Sequence, residues 1–306
     1  MIEALSPMKC CPHVVMVIGK GGVGKTTVSI LLARELSRRG RTLLLSLDPA
    51  RHLEKYLANG APGMEVSQVI IEKEIEDIVG RHADFLRALM PSLSVFNLDD
   101  VMDIVRYSPG AEEEVFLRKL LSAFRREHEY VVIDTPPTGV TLRTLALSRL
   151  YVAWLDKLIQ VRERIVSLRY TIARTTRGEV EMRDKALERL YQMREEYSWL
   201  ERKLSSAEDT SYVLVTIPEP LPIYEMEESL KFLRERMRVK PKLVVLNRVL
   251  PEDVALRLGL LEAQKRYMKQ IEALDINHAI IEHLGKPTER LEDVDMLREK
   301  VRVRVK

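Results

Sequence analysis

"VIGKGGVGKTTVSILLARELSRRG", residues 17–40, decides the fold. The apolar run "HVVMVI" (13–18) leads into it, glycines crowd positions 19–24, and a helical sequence follows. Strand, glycine loop and helix in that order let bare backbone N–H groups curl around a phosphate, because a Cβ would block the approach. Gly19, Gly24, Lys25 and Thr26 satisfy G-x-x-x-x-G-K-[ST], and Gly21, Gly22, Val23 and Thr27 complete the loop. In that pattern Lys25 reaches the β and γ phosphates and the Thr26 hydroxyl ligates Mg²⁺. Lys20 lies on the other arm of the loop and is expected to face outward. There its ammonium can meet the phosphates of a nucleotide held by a second subunit and stabilise γ-phosphoryl transfer in trans, as an arginine finger does.

Outward from this loop, short apolar runs alternate with helical segments: "TLLLSL", "SQVII", "LSVFNL", "YVVID", "YVLVTI", "KLVVLN" and "HAIIEHL". Continuous apolar strands separated by helices predict a mostly parallel sheet covered on both faces, an α/β doubly wound fold. Ligands in such folds bind beyond the carboxyl ends of the strands. Gly19, Asp48, Asp134, Pro218 and Asn247 stand at or just past such ends. The expected organisation is one domain over 1–306 with helical insertions at about 73–128 and 150–206. The second insertion is expected to be a helical hairpin, broken near Gly178 and mostly charged outside.

With 46% hydrophobic and 31% charged residues the chain is of ordinary globular composition. A net charge of +3, from interleaved acids and bases, does not announce a specific nucleic-acid partner. No apolar run approaches a membrane span, and none has the form of a signal peptide, which predicts a cytoplasmic protein or one peripheral to a membrane. Cys10 and Cys11 are adjacent, so they build no disulfide framework; the terminal "VRVRVK" is expected to be a solvated end.

"GKGGVGKTT" resembles the deviant Walker A loop of the ATPase class that includes MinD, ParA, nitrogenase iron protein and the ArsA-type ATPases. "LSLDPARHL" is similar to the first switch of the ArsA type and "YVVIDTPPTGVTLRTLAL" to its second; "TIPEPLPIYEMEESL", "LVVLNRVLP" and "QKRYMKQIEAL" match further segments in order. The chain therefore resembles an ArsA-type ATPase, the group of arsenite-pump ATPases and the targeting factor for tail-anchored membrane proteins. The resemblance implies ATP and Mg²⁺ as ligands and a homodimer with Lys20 as its signature lysine. It makes Asp48 the residue that orients the attacking water, a role phosphoryl transfer requires more than it requires a strong base. Asp134 takes the Walker B position that holds Mg²⁺ with Thr26. Thr138 and Gly139 follow the γ-phosphate, Asn247 meets adenine, and Pro287 packs on the base.

The departures are informative as well. Arg51, His52, Glu54 and Lys55 replace the usual continuation of the first switch, and Val140 replaces a histidine in the second. The cysteine pair that gives eukaryotic targeting factors their zinc site is missing between Asn247 and Gln264, so no zinc is expected. Arsenite needs three converging thiolates and is not expected either. The favoured partner is a hydrophobic membrane-protein segment, or its receptor, with Phe85, Leu86, Leu89, Met90, Val101, Met102 and Val105 as candidate lining. The alternatives are a ParA- or MinD-like positioning ATPase and a nucleotide-gated scaffold with little turnover.

Overall fold

The computed structural model describes residues 1–5, 8, 12–49, 53, 56, 63–78, 80, 110–176 and 184–306. The expected strand at "LSVFNL", the candidate lining at 85–105, Cys10, Cys11, Arg51, His52, Glu54 and Lys55 lie outside these residues. Strands β1 (His13–Gly19), β2 (Thr42–Ser46), β3 (Glu65–Gln68), β4 (Tyr130–Asp134), β5 (Thr210–Thr216), β6 (Leu243–Val249), β7 (Asn277–Glu282) and β8 (Val301–Arg304) form one sheet in the order β3-β2-β4-β1-β5-β6-β7-β8. All neighbours are parallel except β7 and β8. Every residue of β1, β2 and β5 is buried, the signature of strands covered on both faces.

Helices α1 (Lys25–Leu36), α2 (Ala111–Ala123), α3 (Thr138–Thr176), α4 (Lys185–Ser205), α5 (Pro220–Phe232), α6 (Glu252–Arg257), α7 (Leu261–Ala273) and α8 (Leu291–Leu297) fill the connections. On α1, Val28, Leu31, Leu32 and Leu36 join Val15 and Val17 of β1 in the core, and Arg34 is paired with Asp295 of α8 at 3.0 Å.

The chain divides into two compact units, one of residues 1–69, 122–142 and 203–306, the other of 70–121 and 143–202. The first contains the sheet. The second carries most of α2, α3 and α4, with Leu155, Ile159, Leu190, Tyr197 and Leu200 buried and Tyr151 stacked on Tyr197 at 5.0 Å between centroids. Arg162, buried, forks onto Asp184 at 2.9–3.2 Å, and Asp184 in turn accepts the backbone N–H of Leu187 in the first turn of α4.

The terminal "VRVRVK" is exposed from Arg302 onward, as expected of a solvated end, yet its first four residues are β8, and the backbone N–H of Lys306 donates to Asn277 Oδ1 at 2.9 Å. Two expectations about the hairpin are corrected. The hairpin's first helix begins at Thr138, well before 150, where the Pro137 carbonyl accepts the Val140 and Thr141 N–H groups directly after the loop that follows β4. Nor is that helix merely charged outside. Leu150, Trp154, Val161, Ile165, Leu168 and Ile172 are 38–61% exposed. At 3.6 residues per turn their spacing confines them to an arc of roughly 60° along about 33 Å of helix.

Candidate nucleotide site

At the carboxyl edge of the sheet, β1 ends between β4 and β5, with Val17 opposite Asp134 and Gly19 opposite Val215. A Cβ on Gly19 would stand 2.3 Å from the Val215 carbonyl oxygen, so only glycine lets the loop leave the strand here. The loop turns through Gly22 and Gly24, both in the left-handed region at φ +85° and +90°. It opens into a cleft of about 770 Å³. Gly21, Gly22 and residues 24–27 form one wall, Asp48 and Pro137 the end beyond β2 and β4, and Tyr56, Arg248 and residues 288–290 the rest.

Lys25 is 5% exposed and its Nζ donates to the Lys20 carbonyl at 3.3 Å. Burial pulls its pKa down, opposed by Asp134 first, then Asp48 and Glu225. An ammonium with little solvation and, among the described residues, no direct carboxylate partner is prepared for an anionic ligand. Thr26 Oγ1 donates to Asp134 Oδ2 at 2.8 Å, and Ser29 Oγ to Asp134 Oδ1 at 3.2 Å. Burial raises the Asp134 carboxyl to about 6, against the hydrogen bond from Thr26 and the charge of Lys25. A buried carboxylate beside a hydroxyl is a hard oxygen pair that fits Mg²⁺, and a divalent charge would offset the desolvation. Asp48 is half-buried at the cleft. Among the described residues Thr138 Oγ1 is buried without a hydrogen-bond partner, a donor left over for a ligand.

The remaining expected residues stand around this core. Lys20 is held by Glu225 of its own chain at 3.4 Å. Val23 is buried and accepts at its carbonyl from Asn247 Nδ2 at 2.9 Å, while Asn247 Oδ1 accepts the Arg248 N–H at 2.9 Å. Asn247 thus sits beneath the loop as its brace, and Arg248 is the residue of that strand on the cleft. Pro287 is exposed, next to the lining residue Thr288.

Sequence reasoning missed Tyr56, Arg248, Thr288, Glu289 and Arg290. Arg248 had one signal available only in three dimensions: φ +56° and a register shift between Leu246 and Val249, a bulge that re-aims a side chain. Tyr56 donates its hydroxyl proton to the Thr288 carbonyl at 2.8 Å and lies 3.2 Å from Thr27 Oγ1.

The chain is similar to known proteins over most of its length. The profile of the anion-transporting ATPases (ArsA_ATPase) matches residues 12–284. The chain is 29% identical over 270 residues to the putative arsenical pump-driving ATPase 2 of Aquifex aeolicus, covering 83% of this chain and 86% of that protein. It is 30% identical over 294 residues to the ATPase ASNA1 homolog of Plasmodium falciparum, covering 94% and 75% respectively. It is also 30% identical over 278 residues to the ATPase get3 of Aspergillus terreus, covering 85% and 81%.

Proposed function

Given that the chain belongs to the anion-transporting ATPase family and hydrolyses ATP, we propose that it works as a homodimer whose nucleotide state controls capture and release of a hydrophobic helical segment of a membrane protein. In each protomer Lys25 grips the β and γ phosphates and Asp48 orients the water that attacks the γ-phosphorus. Thr26 and Asp134 would hold Mg²⁺, whose charge would offset that of the phosphates. Lys20 leaves Glu225 and adds its charge to the partner's nucleotide. Among the described residues no helix is long and apolar enough to cross a membrane, so the apolar segment in this reading is the client's.

The observation that carries the client reading is the stripe on α3. Six large apolar side chains exposed along one face exceed the scattered exposure of an ordinary surface and suit a partner helix lying lengthwise. Lys157, Arg164 and Arg169 flank it, so two copies of the stripe laid together would set like charges side by side. A client helix brings no such repulsion. A positioning ATPase of the MinD kind would call for an amphipathic membrane tail, whereas the basic C-terminal "VRVR" is strand β8 of the sheet.

The test is capture of synthetic hydrophobic helices by the purified full chain with ATP, using Asp48→Asn to hold the loaded state. The expected result is a soluble complex. Leu150→Ser combined with Val161→Ser should weaken capture by about tenfold or more while the melting temperature holds, since neither side chain is in the core. Failure with several helices of differing sequence would remove the client reading.

A further inference from the structure

Tyr56 is not part of the phosphate loop, yet its hydroxyl connects two walls of the cleft. On one side is Thr27 Oγ1, in the first turn of α1, at 3.2 Å; on the other is the Thr288 carbonyl at 2.8 Å. A phenol has one proton, and a carbonyl can only accept, so that proton goes to Thr288. Toward Thr27 the phenol oxygen must therefore accept, which fixes the Thr27 hydroxyl as donor. Both Thr27 and Thr288 line the cleft, and so does Tyr56 itself.

With the phosphates on the glycine loop, Thr27 and residues 288–290 line cleft space that would remain for the rest of the nucleotide. The bridge spans that space. We propose that Tyr56 is a nucleotide-positioning residue: its hydroxyl sets the distance between Thr27 and Thr288 and so shapes the cleft around the nucleoside end of ATP. The role acts through these two threonines and is separate from the grip of Lys25 on the phosphates. It rests on ATP occupying this cleft, as the proposed function assumes.

The experiment measures dissociation constants of ADP and of inorganic tripolyphosphate by calorimetry for the full chain, with steady-state hydrolysis alongside. Tyr56→Phe keeps the ring and deletes the bridge. Its ADP dissociation constant should rise about fivefold to tenfold, the equivalent of one or two hydrogen bonds, and KM for ATP should rise with it. Tripolyphosphate affinity and kcat at saturation should stay within about twofold, because uniform binding is lost without loss at the reacting centre. Thr27→Val should lose ADP affinity in the same way, Thr27→Ser should restore it, and Tyr56→Phe combined with Thr27→Val should cost less than the two separate losses multiplied. If Tyr56→Phe binds ADP as the wild type does, or loses ADP and tripolyphosphate equally, the positioning role is overturned while the ATP site stands. If the wild type binds tripolyphosphate but no ADP, the nucleoside lies elsewhere and both readings fall.

Discussion

A Cβ placed on Gly24 would stand 2.4 Å from Asn247 Nδ2, and φ there is +90°. Asn247 cannot step aside freely, because it is buried and both ends of its amide are engaged by Val23 and Arg248. Gly24→Ala is therefore expected to cost about 2–4 kcal/mol, combining left-handed strain with a displaced hydrogen bond. Chemical denaturation measures the first, and a loss of ADP affinity by more than tenfold should accompany it. In an Asn247→Ala background, which removes the clash but not the backbone strain, Gly24→Ala should cost less. At this scale the loop residues were legible because a phosphate-binding turn demands particular residue types at fixed spacing. Tyr56 and Arg248 were not. Neither belongs to a spaced motif, and each reaches the cleft only through the path of the folded backbone.

Among the elements, α8 and the segment before it show how a cleft wall is held. Asp293 accepts Lys286 Nζ at 2.5 Å and the backbone N–H groups of Glu289 and Arg290 at 3.1 Å. The Lys286 ammonium first, then the Glu289 N–H, hold its carboxyl down at about 2, against an ordinary 3.8. A folded pKa below the unfolded one means that the ionised form stabilises the fold. That contribution is complete above about pH 4 and disappears as pH falls toward 2. Asp293→Asn should thus be less stable than wild type at neutral pH by on the order of 1 kcal/mol, allowing for solvent screening. Urea titrations of the two proteins should converge near pH 2; a gap independent of pH would contradict the assignment. The buried strands were readable as apolar runs, but the two edges of the sheet were not. β3 is exposed or half-buried along its length and lies at 65–68, shifted from the apolar run that suggested it, and β8, which alternates valine with arginine, is exposed from Arg302 onward. Such patterns are also those of a solvated loop or tail.

For the whole molecule, the Lys20–Glu225 contact poses a question of magnitude. Both side chains are about one-third exposed, and a pair so solvated contributes only about 0–1 kcal/mol. It is therefore no obstacle to Lys20 moving onto a partner's nucleotide, where the charge is far larger. Lys20→Ala should abolish turnover with ADP affinity within about twofold of wild type. With the proposed homodimer as the active species, activity per chain should fall on dilution. Full activity from Lys20→Ala, or turnover indifferent to dilution, would exclude action in trans. The placement of aromatic residues has its own use. The chain's two tryptophans, Trp154 and Trp199, both lie on the α3–α4 hairpin, the first in the exposed stripe and the second on α4. Fluorescence excited at the red edge of indole absorption therefore views that hairpin and is blind to the sheet, so an emission shift on adding ATP would be an optical record of the hairpin's response to nucleotide.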